Sequence, residues 1–67
     1  MKIIDREYNA LQDKPTYTVL ADTASEITAD VYPECAVGSM IIVVGTKDIY
    51  IKNTEGKWQK YGTTEVI

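Results

Sequence analysis

Met40-Ile41-Ile42-Val43-Val44 is an unbroken apolar run, mostly β-branched, bounded by Gly38 and Gly45. Branching at Cβ suits a pleated surface better than a helix. A short run without polar alternation reads as a strand covered on both faces. In a chain of only 67 residues, a homo-oligomer would help to cover such a strand. Chains this short bury only about 60% of the surface their unfolded form exposes, so one thinly cored domain is expected and two-domain arrangements are excluded.

The segments around that run read as further strands. Gly45-Thr46-Lys47-Asp48 supplies a tight turn. Ile49-Tyr50-Ile51-Lys52 then alternates, with Ile49 and Ile51 on one face and Tyr50 and Lys52 on the other. Asn53-Thr54-Glu55-Gly56 places Asn first and Gly fourth, as a type I turn with a following left-handed residue prefers. Lys57-Trp58-Gln59-Lys60-Tyr61 is the third strand, with Trp58 and Tyr61 pointing to opposite sides. The spacing predicts an antiparallel meander over residues 39–62.

Upstream, Thr16–Ala21 follows Pro15 and puts Tyr17, Val19 and Ala21 on one face, which predicts a strand of the same sheet. Thr23-Ala24-Ser25-Glu26 has capping-box spacing and allows one or two helical turns. Pro33 is expected to hold Tyr32 extended, within a structured loop over 30–38. Residues 1–14 permit two readings. Ile4, Tyr8 and Leu11 fall at helical spacing, with Asp5 as a cap, which fits a short amphipathic helix. The alternative, towards which the thin core leans, is an arm that orders only against a partner. The expected fold is mostly β: a small antiparallel sheet over 15–67 with a flexible or helical segment over 1–14.

Charge and cysteine narrow the function. Seven Lys plus Arg against ten Asp plus Glu give a net charge of −3, the wrong sign for neutralising nucleic-acid phosphates. Seven of the ten acids fall within residues 1–34, an acidic half suited to solvent or to a basic partner. Cys35 is the only cysteine and there is no His, so a disulfide scaffold is excluded and a structural metal is not expected. Met1-Lys2-Ile3-Ile4 runs at once into Asp5-Arg6-Glu7, and no run approaches the length of a membrane span. A soluble protein folding in a cytoplasm is expected, with no membrane partner.

No pattern specifies a reaction. Nucleophilic catalysis lacks a histidine base. Cys35 lies between Glu34 and Ala36 in an acidic stretch without a neighbouring cation, which marks it as structural. Asp22, Glu26, Asp30 and Glu34 recur every four residues, but such a stripe repels itself on a helix and reads as a solvated face. Gly45-Thr46-Lys47 lacks the earlier glycine, the Lys-Ser/Thr order and the following helix of a phosphate-binding loop. No catalytic residue, metal or cofactor is assigned.

The aromatics are five tyrosines and one tryptophan, with no phenylalanine. Tyr and Trp suit surfaces that are dry at one end and hydrogen-bonded at the other. Trp58 closes the small core with tyrosines along its rim, or these side chains anchor an interface. On the interface reading the contact residues are Ile3, Ile4, Tyr8, Leu11, Tyr50, Trp58 and Tyr61.

Ala36-Val37-Gly38-Ser39, the apolar strand, Ile49-Tyr50-Ile51 and Asn53-Thr54-Glu55-Gly56-Lys57-Trp58 together resemble a pattern in small virion proteins and fibre segments of tailed bacteriophages and prophages of Gram-positive bacteria. The resemblance covers residues 22–61, and residues 1–14 add nothing to it. It implies a non-catalytic structural or accessory role, such as capsid decoration, head fibre or a tail or baseplate accessory. Gly38, Ser39, Tyr50, Gly56 and Trp58 match the pattern and look like fold determinants.

The leading expectation is a virion protein assembled in the host cytoplasm, attached to a capsid or tail protein and forming a homo-oligomer, for instance a trimer. The alternatives are a phage- or prophage-encoded inhibitor of a host protein and, less favoured, a carbohydrate-binding module using Trp58 and Tyr50.

Overall fold

In the computed structural model, which describes residues 1–67, five strands form one sheet in the order β1-β2-β3-β4-β5. β1 spans Lys2–Asn9, β2 Lys14–Ala21, β3 Met40–Val43, β4 Asp48–Lys52 and β5 Trp58–Lys60. The fold is mostly β, and β3-β4-β5 is the antiparallel meander predicted from the turn residues. The sheet is not wholly antiparallel, because β2 and β3 run parallel. Antiparallel neighbours need only a tight turn, whereas a parallel step needs a long crossover. Residues 22–39 form that crossover, and its sole helical piece is the 3-10 turn Ala24–Glu26.

Residues 1–14 are neither an arm nor a helix. They form β1 and the turn into β2, paired from Lys2 with Leu20 to Asn9 with Lys14. Ile4 is the extra residue of a bulge between Ile3 and Asp5. The bulge lets Ile3 pack against the core while Ile4 points outward. Helical spacing misled here because the hydrogen-bond partners of β1 lie more than ten residues away at its start. Gln12 further ties the hairpin down: its side chain donates to Val37 O at 3.1 Å and accepts from Val37 N at 2.8 Å.

One face of the sheet carries the core. Tyr17, Val19, Ala21, Ile41, Val43, Tyr50 and Trp58 point to it, and Ile27 and Cys35 of the crossover close over them. Trp58 is 1% exposed, and its indole N–H donates to Val31 O at 3.1 Å. Ser39 is fully buried, and its Oγ accepts from Tyr17 N at 3.0 Å, filling a backbone vacancy where the parallel pairing begins.

The β3 run is not covered on both faces. Ile41 and Val43 are buried, while Met40 and Ile42, which alternate with them, are only half-buried. A chain of this length supplies one covering layer, and the crossover uses it on the other side. Tyr32 also departs from expectation, with φ of 48° rather than an extended backbone. That turn is stabilised from both ends of the residue: Tyr32 O accepts from Cys35 N at 3.2 Å, and its ring meets Tyr17 edge-on at 5.5 Å.

Candidate interaction surfaces

The two sheet edges differ. Beyond β5, residues 65–67 fold back, with Lys60 N donating to Glu65 O at 2.9 Å and Ile67 N to Trp58 O at 3.0 Å. Gln59 and Val66 form the bridge between them. Beyond β1 there is no further strand, so its outward backbone groups are open to a partner. The bulge and the charges Asp5, Arg6 and Glu7 restrain indiscriminate pairing along this edge. Tyr8 is 63% exposed and Leu11, at the tip of the β1–β2 turn, is 100% exposed. The Tyr8 hydroxyl donates to Asp13 across that turn, which raises the phenol pKa and holds the ring at the edge.

The seven residues singled out from the sequence therefore separate into three places. Ile4, Tyr8 and Leu11 lie exposed on the β1 edge and turn, with Ile3 half-buried beneath. Tyr50 and Trp58 face the core at 8% and 1% exposure, which removes them as a platform for stacking on a sugar. Tyr61 is exposed on the opposite side of the sheet, beside a shallow depression of about 220 Å³ lined also by Ile51, Asn53 and Gln59. Sequence reasoning missed Leu20, Met40, Ile42, Ile49 and Ile51, which are half-buried on the open face. The signal was present in the apolar continuity of β3, which demands cover on two sides.

Buried polar chemistry centres on Lys52, which is 7% exposed. Its ammonium donates to the carbonyls of Tyr32 at 3.1 Å, Pro33 at 3.3 Å and Cys35 at 3.1 Å, and lies 3.6 Å from Cys35 Sγ. The same ammonium sits 5.8 Å from the centre of the Trp58 ring. The thiol thus faces a cation, while Glu34, its acidic neighbour in sequence, turns away to accept from the Tyr17 hydroxyl at 2.9 Å. That bond, with burial, raises the Tyr17 pKa. Arg6 lies over the Tyr17 ring at 5.2 Å.

Glu26 caps the crossover. Its carboxylate accepts from Asp22 N at 2.7 Å and Thr23 N at 2.9 Å and meets the Met1 ammonium at 2.9 Å. The Met1 bond, then the backbone bond from Thr23, hold its pKa down at about 2. No three His, Cys, Asp or Glu side chains are grouped to hold a metal ion. Comparison of the chain with protein-family models, curated proteins and solved structures finds no match.

Proposed function

We propose that this chain is a non-catalytic structural or accessory protein of phage or prophage particles, attached to a capsid or tail protein through the β1 edge and the β1–β2 turn. The observation that carries the attachment site is the contrast between the two edges: β5 is sealed by residues 65–67, and β1 is open beside exposed Tyr8 and Leu11. An extended segment of the partner adds to β1 as a further strand, with Leu11 and Ile4 as apolar anchors. The virion setting comes from the sequence pattern around Gly38-Ser39 and Gly56-Lys57-Trp58.

Quantitative mass spectrometry of particles purified from cells encoding the chain tests this reading. It should be present at a fixed ratio to one capsid or tail protein, and Leu11→Asp should remove it from particles without changing its melting temperature. Absence from particles, with retention on a soluble host protein, would replace this reading with that of an inhibitor.

A further inference from the structure

The open face of the sheet carries an ordered pattern of its own. The strand register puts Leu20, Ile42 and Ile49 in one cross-strand row that ends on β1 at Lys2. The adjacent row is Thr18, Met40, Ile51 and Gln59, and it ends on β1 at Asp5. Lys2 and Asp5 are exposed and make no ion pair within the chain, whose salt bridges join Met1 to Glu26 and Lys60 to Asp48 and Glu65.

We infer that this face packs against the same face of a second copy, in a twofold dimer whose axis runs across the strands between the two rows. Rotation about that axis exchanges the rows. The Ile42 and Ile49 row then lies over the Met40 and Ile51 row of the partner, and Lys2 of each copy stands over Asp5 of the other. The charge order selects a second copy over an unrelated partner, since an isologous contact requires a self-complementary patch. A cation and an anion at the ends of neighbouring rows, equidistant from the axis, meet that requirement twice. An apolar centre with its charges at the rim is the usual anatomy of such contacts.

Area sets the strength. Five strands spaced about 4.8 Å apart span about 24 Å, and two rows with their side-chain margins cover about 14 Å along the strands, or about 340 Å² per copy. Two copies bury about 700 Å², below the roughly 1,200 Å² of stable complexes. The dimer is therefore reversible, dissociated when dilute and formed when copies are held close together, as in a multivalent assembly. This inference uses side chains on the open face, Lys2 and Asp5 of β1 among them, and not the outward backbone groups of β1, so its failure is distinguishable from failure of the virion reading.

Sedimentation velocity on the full chain at low ionic strength, from about 5 μM to about 500 μM, provides the test. The mass should rise from one chain towards two. Lys2→Asp and Asp5→Lys should each raise Kd about tenfold, because each turns two attractive pairs into repulsive ones. The double reversal should restore Kd to within about threefold of the starting protein. Both positions are exposed, and Trp58 fluorescence checks that the fold is kept. A protein that stays monomeric at the highest concentration, a trimer, or a double variant weaker than either single one would each overturn the proposal.

Discussion

Replacing Lys52 by Met keeps the side chain's length and packing and removes only its charge. Exchanging a buried ion for a hydrophobe is often neutral or stabilising, because the cost of desolvating the charge disappears with it. Here the acceptors are three backbone carbonyls, which no substitution removes. Hydrogen bonds from charged donors contribute about 1.5–3 kcal/mol each, so the gross loss over three is about 4.5–9 kcal/mol. Pro33 is exposed and its carbonyl can rehydrate, and Tyr32 O keeps the Cys35 N–H, so two of the three are partly compensated. Cys35 is 1% exposed, and its carbonyl is left without the ammonium. With relief of the buried charge also subtracted, Lys52→Met should destabilise the fold by about 2–3 kcal/mol.

For a domain of this size that loss lowers the melting temperature by about 10–20 °C. Urea unfolding followed by the fluorescence of Trp58, the single tryptophan, measures it directly. Lys57→Met, at an exposed lysine, is the control and should leave the midpoint in place. A Lys52→Met protein as stable as the parent, or more so, would refute the reasoning and mean that desolvation outweighs the three bonds.

Gly45→Ala should cost about 2 kcal/mol in the same assay, because an added Cβ would lie 2.8 Å from the Asp22 carbonyl oxygen that accepts the Gly45 N–H; an unchanged midpoint would show that the β2 and β3 ends separate freely. Glu26 is held at about 2 against an ordinary 4.5, so its stabilising effect is fully present above about pH 4.5 and is lost as pH falls through 2. Glu26→Gln should therefore melt earlier than the parent at pH 6, and the difference should close by pH 2. A gap that persists at low pH would show that the carboxylate's charge is not what holds the crossover.

Sequence patterning reached the meander because its information is local. The alternation of Ile49-Tyr50-Ile51-Lys52, the Asn53–Gly56 turn and the opposite facing of Trp58 and Tyr61 follow from period-two geometry and turn chemistry. That Tyr17, Val19 and Ala21 share one face was legible for the same reason, while the core contacts that make it the inner face come from the fold. β1 was not: Ile4, Tyr8 and Leu11 satisfy a helical period, and only pairing with β2, from Asn9 with Lys14 out to Lys2 with Leu20, decides against it. The parallel pairing of β2 with β3 was equally hidden, since nothing in residues 22–39 states on which side of β2 the chain returns.

Cys35 shows the same division at the level of one side chain. Sequence placed it among acids, and the fold turned Glu34 outward and brought Lys52 in from β4. The sequence alone determined a β-rich chain with a continuous apolar strand inside an antiparallel meander, and left Trp58 open between core and interface. Only the tertiary structure decided which face the crossover covers, which edge stays open and which apolar side chains are left outside. Those outcomes depend on contacts distant in sequence, where loop closure, hydrogen-bond satisfaction and the limited cover available to 67 residues compete for the same surfaces.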